Sequence, residues 1–266
     1  MGPYFNNQEI FSPKLINQTP PFFYKTVMEE IVKISAKNLG ILALKDHCPR
    51  CFYIKLKLGF KLPYQIFPGI FSSIDSYSKK ITWAHYAKYG KLPQWFSPFG
   101  QFKKVVPALH HSKFFMVDRE TGIRLTGVPD DIFEMEDGRF FIVDYRTARF
   151  TGNQDALMPI YQVQLNGYAL IFEKLGMGKV GGVGLCYYEP QGDAPVEDVG
   201  KVLQQDGFVM PFKAHLKQVG LDPEGVVIPL LRRIREITDM RHIPAGKKGC
   251  RDCQGLEQVV ALSKNR

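Results

Sequence analysis

The sequence contains no apolar run long enough to cross a membrane. Hydrophobic residues make up 45% of its 266 residues, yet no stretch approaches the roughly 18 consecutive apolar residues that a membrane-spanning helix needs. The first residues also lack the apolar segment of a secretory signal peptide. These absences predict a cytoplasmic protein without a membrane partner.

Cysteine is also scarce, which argues against a disulfide-rich scaffold. Four of the five cysteines form two Cys-x-x-Cys pairs, Cys48 with Cys51 and Cys250 with Cys253. In a chain without a secretion signal, such pairs indicate metal binding or redox chemistry rather than disulfides. The fifth cysteine, Cys186, lies in an apolar run, where we predict a packing role.

Acidic residues are fewer than basic residues, 26 against 35, and the formal net charge is +9. This excess favours a polyanionic partner, although solvated basic side chains alone would also explain it. The charged fraction of 23% is that of an ordinary globular protein and excludes a disordered chain.

The apolar patterns predict an α/β fold in which a central mixed β-sheet is flanked by helices. Helical spacing is found in residues 25–45, 69–91, 156–175 and 224–240, and strand patterns in residues 114–117, 123–133, 139–146, 180–188 and 208–212. We expect an N-terminal arm (1–24) followed by a single domain (25–266). That domain divides into a helical region (25–110), a sheet core (111–215) and a C-terminal helix with the second cysteine pair (216–266).

Acidic side chains are found where two predicted strands form a hairpin. Asp144 and Arg146 lie two positions apart on the return strand and therefore project from the same face. A two-residue Asp-Gly turn would place Asp131 opposite Asp144, whereas a one-residue shift or a bulge would place Asp130 there. Two such carboxylates would form an oxygen site for Mg²⁺ or Mn²⁺. The alternative is a pair of exposed acids at strand ends.

Four segments of the chain carry a recognisable order of motifs. They are Cys48-Pro-Arg-Cys51-Phe-Tyr, Gly127-Val-Pro-Asp130, Asp144-Tyr-Arg146 and Gln164-Leu-Asn-Gly-Tyr168. This order resembles the PD-(D/E)xK nuclease superfamily, in its RecB-like branch, and the first segment is similar to the opening of members that carry an iron–sulfur cluster. With the closing cysteine pair, the resemblance spans residues 48–253.

The resemblance implies a restriction-endonuclease-like core and metal-dependent cleavage of DNA phosphodiesters. It implies that Asp130, in preference to its neighbour, and Asp144 bind the metal, with the backbone carbonyl of Tyr145 as a further ligand. Gln164 and Tyr168 would orient the site or contact substrate, and for Tyr168 a packing role in the core is the alternative.

Two departures from the family pattern affect the expected activity. The family lysine is replaced by Arg146, which is bulkier, forks rigidly and stays protonated, so we expect weakened cleavage or none. Where many relatives place a histidine, this chain has Gly69-Ile-Phe-Ser-Ser-Ile-Asp75, and Asp75 is the candidate to replace it as a metal ligand. His85, His110 and His111 are expected to be surface or packing residues.

The four paired cysteines can enclose one metal centre between the two ends of the predicted domain. The resemblance implies a [4Fe–4S] cluster, whereas the spacing alone fits zinc equally. Relatives take one cysteine from the N-terminal side and three from the C-terminal side, and this chain has two and two. Unliganded thiols are a third alternative.

The leading hypothesis is a magnesium-dependent deoxyribonuclease that acts on DNA with single-stranded or free ends. Basic side chains would contact phosphates, and the aromatics near Trp83 and Trp95 would stack on bases. The first alternative is a catalytically inactive, nuclease-derived subunit that binds DNA or a protein partner in a DNA-processing complex. The second alternative is an interaction module stabilised by the cysteine centre.

Overall fold

The computed structural model describes residues 31–61, 68–107, 109–152, 156–192 and 199–264. Every described residue belongs to one compact unit, Ile31–Arg266. The predicted arm at residues 1–24 lies outside the described residues. The division of residues 25–266 into a helical region, a sheet core and a C-terminal region remains an expectation from the sequence.

The described residues form ten strands and seven α-helices. The strands are β1 (Lys33–Ser35), β2 (Phe102–Val106), β3 (Phe115–Val117), β4 (Arg124–Thr126), β5 (Asp131–Met135), β6 (Phe140–Thr147), β7 (Val180–Pro190), β8 (Leu203–Gln204), β9 (Gly207–Phe208) and β10 (Phe212–Val219). The helices are α1 (Ala36–Leu39), α2 (Pro49–Lys57), α3 (Gly69–Tyr89), α4 (Met158–Lys174), α5 (Val199–Val202), α6 (Pro223–Asp239) and α7 (Arg251–Lys264). Two 3-10 helices cover Gly40–Ala43 and Gln94–Phe99.

A five-stranded mixed sheet lies at the centre of the fold and confirms the predicted fold class. Its strand order is β10-β7-β6-β5-β2, in which β6 and β7 run parallel and the other neighbours run antiparallel. The sheet with its flanking helices is the arrangement of a restriction-endonuclease-like core. Strand β2 lies within the segment predicted to be helical, so the sheet begins earlier in the chain than expected.

Each face of the central sheet is covered by a separate apolar core. On one face, α4 lies between the sheet and α6, and all of its residues from Val163 to Phe172 are buried. On the other face, Phe96 and Phe99 of the second 3-10 helix pack against sheet residues such as Phe133 and Phe141. Alternation along each strand assigns successive side chains to these two cores.

A small sheet of β1, β4 and β3 lies beside the central one, with β1 parallel to β4. The predicted helix at residues 25–45 is wrong from residue 31 onward, where β1, the short helix α1 and a 3-10 helix follow one another. The sequence signal fails because Lys33–Ser35 pairs with a segment about ninety residues away. Helix α1 approaches α4 closely, since a Cβ on Gly167 would lie 2.6 Å from the Cβ of Ala36.

The long predicted helices occur close to their expected limits, as α3, α4 and α6. Helix α3 ends at Gly90, whose φ of 67° stops the helix in the left-handed region. The predicted strand at 208–212 covers only the end of β9 and the start of β10. None of the helices in the described ranges combines the length and the apolar character required to cross a membrane.

Candidate active site and cysteine centre

The hairpin between β5 and β6 closes through a turn of three residues. The Met135 N–H donates to the Arg139 carbonyl at 2.8 Å, which leaves residues 136–138 in the turn. Gly138 has a φ of 81°, a conformation that favours glycine. This turn is one residue longer than the two-residue turn considered from the sequence.

The extra turn residue decides which acidic side chains share a face of the sheet. Asp131 pairs with Val143, and the same register places Asp130 beside Asp144. The alternative in which a two-residue turn sets Asp131 opposite Asp144 is therefore not found, because one additional residue in the turn shifts the register by one. The structure brings Asp130 and Asp144 together on the face covered by α4.

Asp130 has a partner on each of its carboxylate oxygens. The backbone N–H of Tyr145 donates to Oδ2 at 2.6 Å, and Lys79 Nζ lies 2.7 Å from Oδ1. Burial raises the pKa of this carboxyl, and the Lys79 charge opposes that shift. Asp130 is thus a partly buried acid whose charge is compensated by a lysine from α3.

Asp144 is buried and has one unsatisfied oxygen. Gln164 donates to Oδ1 at 3.2 Å, and Arg146 Nη1 lies 2.5 Å from Oδ2. No residue in the described part of the chain makes a well-aligned hydrogen bond to Oδ2. Burial raises the pKa of Asp144 to about 8, with Asp130 adding to the shift and Arg146 opposing it. A buried carboxylate of this kind fits a divalent metal ion, which would stabilise its charged form.

The guanidinium of Arg146 is held by several neighbours. Its Nη1 donates to the Tyr145 carbonyl at 3.1 Å, and its Nη2 donates to Gln164 Oε1 at 2.7 Å. The same group lies 4.4 Å from the ring centre of Tyr161. Together with the Asp144 contact, these interactions fix the residue that occupies the position of the family lysine.

Gln164 and Tyr168 lie one turn apart on α4 and continue the network around Asp144. Gln164 Nε2 is 2.6 Å from the Tyr168 hydroxyl, and the Tyr168 side chain is buried. The Tyr168 ring lies against Gly127, where an added Cβ would come within 2.3 Å of it. The glycine of the Gly-Val-Pro-Asp segment is therefore needed because only glycine leaves room for the tyrosine.

Asp131 points to the opposite face, where it binds aromatic side chains. Trp83 Nε1 donates to Oδ1 at 2.8 Å, and the Tyr145 hydroxyl donates to Oδ2. The residue is 1% exposed, and burial raises its pKa to about 6. Asp131 thus connects α3 with β5 and β6 instead of facing Asp144.

Lys79 is a site residue that the sequence analysis missed. Its ammonium lies 2.7 Å from Asp130 and 2.9 Å from Asp75, which precedes it by one helical turn. Burial disfavours the lysine charge, but Asp130 and Asp75 outweigh this effect and raise its pKa. The sequence signal was the four-residue spacing from Asp75 to Lys79 and on to Trp83, which places all three along one side of α3.

The carboxylates are less tightly gathered than the cysteines. In the described ranges, the four cysteine sulfurs are the only group of three or more potential metal ligands within 4.8 Å of one another. Asp75, Asp130 and Asp144 do not form such a group, and Lys79 contacts the first two. The histidines lie elsewhere: His85 is 2.9 Å from the Lys91 carbonyl, and His110 packs on His111.

The four cysteines converge from the beginnings of two helices. Cys48 caps α2, and Cys250 immediately precedes α7, so each pair occupies one helix N-terminus. The Sγ–Sγ distances are 3.5 Å for Cys48–Cys253, 3.6 Å for Cys51–Cys250 and 3.3 Å for Cys51–Cys253. Four sulfurs this close can bind a single metal ion. Cys186 is fully buried in the second core, as predicted.

Backbone N–H groups stabilise a thiolate at this centre. Burial acts to raise the pKa of Cys48, but backbone hydrogen bonds from Cys51 and Lys247 outweigh it and lower the pKa to about 6. The Lys247 N–H lies 3.2 Å from the Cys48 sulfur. Thiolates are the metal-binding form of cysteine, and burial raises the pKa of Cys51 and Cys253, so a metal bound here would have to displace the protons of these two thiols.

Comparisons with known proteins identify the family. No curated protein matches the chain by sequence. The crystal structure of SSO0001 is similar, with a TM-score of 0.37 and 12% identity over 81% of this chain and 80% of that chain. The sequence model of the PD-(D/E)XK nuclease superfamily matches residues 78–256, which is more than half of the chain and includes Asp130, Asp144, Arg146 and Gln164. The chain belongs to the PD-(D/E)XK nuclease superfamily, whose members are usually metal-dependent nucleases.

Proposed function

We propose that this protein is a magnesium- or manganese-dependent DNA phosphodiester hydrolase of the RecB-like type. The observation that carries the proposal is the hairpin register, which places Asp130 beside Asp144 on one face of the sheet. Membership of the nuclease superfamily supports the same reaction class. In the metal-bound site, Asp130, Asp144 and the Tyr145 carbonyl are the proposed ligands, with Asp75 as a further candidate.

The reaction consumes one water molecule. The water oxygen bonds to phosphorus, the P–O bond to one sugar breaks with its electron pair, and the departing oxygen takes up a proton that balances the one lost by water. A bound divalent ion would polarise the phosphate and acidify the water. Gln164 holds Asp144 through Oδ1, and Tyr168 holds Gln164, so these two residues orient the carboxylate.

Arg146 makes a weakened enzyme the expected outcome. Its guanidinium contacts Asp144, Gln164 and the Tyr145 carbonyl, so it has little freedom to follow a reacting phosphate. A lysine at this position would offer a compact, mobile charge.

A nuclease assay with Mg²⁺ and Mn²⁺ on single-stranded and duplex DNA tests the proposal. We expect slow metal-dependent cleavage by the natural chain, faster cleavage by Arg146→Lys, and no cleavage by Asp144→Asn. The matched control is Arg149→Lys, because Arg149 is exposed and lies just beyond the end of β6. Absence of cleavage by both the natural chain and Arg146→Lys, in folded protein that binds Mn²⁺, would contradict the enzyme proposal.

The second candidate is a catalytically inactive subunit that binds DNA or a protein partner. It is favoured by the two ion pairs, Lys79 with Asp130 and Arg146 with Asp144, which compensate the carboxylates without a metal ion. This candidate requires DNA or partner binding that survives Asp144→Asn and no turnover in any divalent metal. The same set of variants therefore distinguishes it from the enzyme.

We propose DNA with single-stranded or free ends as the substrate and the cytoplasm as the location. Trp95 is 38% exposed and is the better candidate for base stacking, since the Trp83 indole N–H is already bonded to Asp131. A circular single strand serves as the control for a requirement for ends. Equal cleavage of circular and linear strands would exclude that requirement.

We propose that the cysteine centre holds one zinc ion. Zinc with Zn–S bonds of about 2.3 Å sets its four sulfurs about 3.8 Å apart. Three of the six Sγ–Sγ distances are 3.3–3.6 Å, and all four sulfurs lie within 4.8 Å of one another. A [4Fe–4S] cluster, the first expectation from the resemblance, separates the cysteine sulfurs more widely because its irons and sulfides lie between them. Elemental analysis and the absorption spectrum of protein purified without oxygen distinguish colourless zinc protein from brown cluster protein.

A further inference from the structure

The lysine that this superfamily needs has an alternative source in this chain. Arg146 occupies the motif position, but Lys79 from α3 places an ammonium 2.7 Å from Asp130. The Lys79 side chain is 33% exposed, whereas that of Arg146 is 18% exposed. Of the two cations beside the acidic pair, the lysine is therefore the more accessible to a substrate.

The position of Lys79 is fixed by contacts one turn further along the same helix. Trp83, four residues after Lys79, donates to Asp131, which directly follows Asp130 in the chain. Thr82 lies 3.3 Å from the Tyr145 hydroxyl and is fully buried. Because α3 is attached at these points to β5 and β6, Lys79 is directed at the end of β5.

Lys79 can exchange its contacts more easily than Arg146 can. The Lys79 ammonium contacts the carboxylates of Asp130 and Asp75 at the end of a flexible chain of four carbons. It can therefore move away from Asp130 and keep its contact with Asp75, one helical turn away. Arg146 is held by a carboxylate, a carbonyl, an amide oxygen and an aromatic ring. A phosphate near Asp130 is therefore more easily met by the ammonium than by the guanidinium.

We propose that Lys79 is the catalytic cation of this site and contacts the scissile phosphate in place of the missing motif lysine. The inference rests on the proposed hydrolase function. Lys79 stays protonated throughout: it stabilises the negative charge that builds on the phosphate oxygens as water adds and the sugar oxygen leaves, and it transfers no proton. In the absence of a divalent ion, the same ammonium compensates the charge of Asp130.

The experiment compares Lys79→Ala with Arg146→Lys and with the double variant, using linear single-stranded DNA and Mn²⁺. We expect Lys79→Ala to cleave about 100-fold more slowly than the natural chain, and the double variant to recover because it regains a lysine at the motif position. The control is Lys80→Ala, because Lys80 is the next residue of α3 and is exposed. Its rate should equal that of the natural chain.

A second readout is Mn²⁺ affinity, measured without DNA. Removing the ammonium removes a competitor for Asp130, so we expect Lys79→Ala to bind Mn²⁺ about threefold more tightly or better. A misfolded variant would instead lose Mn²⁺ binding, so tighter binding together with slower cleavage identifies a catalytic role.

Two results would overturn the assignment of Lys79. One is cleavage by Lys79→Ala within about threefold of the natural rate, which is far from the loss expected for a charge-stabilising group. The other is an inactive double variant beside an active Arg146→Lys, which would make Lys79 a support for Asp130 rather than a phosphate contact. Inactivity of both the natural chain and Arg146→Lys would instead reject the hydrolase function, and the assignment of Lys79 with it.

Discussion

Gly127 is a motif residue whose role is to leave room for the ring of Tyr168. The tyrosine ring lies where a side chain on residue 127 would be, and its hydroxyl holds Gln164, which in turn holds Asp144. The effect of the glycine therefore reaches the acidic pair through two side chains of α4.

Substitution of Gly127 by alanine should destabilise the protein and weaken metal binding. The added methyl group would overlap a buried aromatic ring, and overpacking of this kind costs about 1–3 kcal/mol. Urea unfolding measures the loss in stability, and a Mn²⁺ titration measures the effect on the site. Gly69→Ala is the control, because a Cβ at Gly69 meets no atom within 4 Å. Equal unfolding free energies for Gly127→Ala and Gly69→Ala would show that an added methyl group at residue 127 does not overlap the Tyr168 ring.

Asp131 should give stability a specific dependence on pH. Its pKa is about 6 in the folded protein, against an ordinary value of 3.8. Between these two values the unfolded chain releases the proton and the folded chain keeps it, so the natural protein loses up to about 3 kcal/mol as pH rises from about 4 to 6 and nothing further above that.

Asp131→Asn does not titrate, so its stability relative to the natural chain should increase over that interval. The measurement is urea unfolding of both proteins at several pH values in a chelating buffer, which keeps divalent ions from the neighbouring Asp130. Taking the difference between the two proteins removes the contribution of the other acids to first order. A difference that stays constant from pH 4 to 7 would show that Asp131 has an ordinary pKa.

The residues of the candidate site were partly predictable from the sequence. Strand periodicity places Asp144 and Arg146 on one face, and helix periodicity does the same for Gln164 and Tyr168. The association of the two pairs followed from the family resemblance, and contacts between β6 and α4 join them in the structure. The choice between Asp130 and Asp131 depended on one turn residue, which composition does not determine. Lys79 escaped notice because its partner lies on a different element, and only the packing of α3 on the hairpin brings the two together.

Helix α7 is attached to the fold mainly through the cysteine centre. Cys253 is its only buried residue, and its apolar residues Val259, Val260 and Leu262 are exposed. Side-chain ion pairs such as Arg50–Glu257 join it to α2 at the surface, where such pairs contribute little.

Removal of the metal proposed for the cysteine centre should therefore release α7 while the central sheet stays folded. Chelation should increase hydrogen exchange across Arg251–Lys264 and lower the unfolding free energy by about a few kcal/mol, since the centre closes a long loop. Helix α6 is the internal control, because Leu231 and Ile234 bury it in the main core. Unchanged exchange in α7 after metal loss would show that other contacts hold it.

Elements with local sequence signals were predicted accurately, whereas elements that depend on pairing with distant residues were missed. Helices α3, α4 and α6 were predicted because their apolar spacing is a local signal. Strand β1 was missed because its three residues pair only with β4, far along the chain. Short strands carry too few residues for alternation to be recognised.

At the scale of the whole molecule, the net charge of +9 should control DNA binding. Each phosphate contacted releases counterions, so the affinity for single-stranded DNA should fall about tenfold or more between 50 and 200 mM salt. Fluorescence anisotropy with a labelled oligonucleotide measures this dependence. An uncharged peptide nucleic acid of the same base sequence is the control, and its affinity should hardly change with salt concentration. An affinity for DNA that is independent of salt would exclude the phosphate-contact mechanism.

The cysteine centre also connects the order of synthesis to the completion of the fold. Cys51 and Cys250 are separated by 199 positions, so half of the sulfurs leave the ribosome long before the other half. All strands of the central sheet, the last of which ends at Val219, are synthesised before Cys250 and Cys253. If the centre binds a metal ion through all four sulfurs, only a polypeptide translated at least as far as Cys253 can complete it, and we expect a chain truncated before that point not to retain the ion.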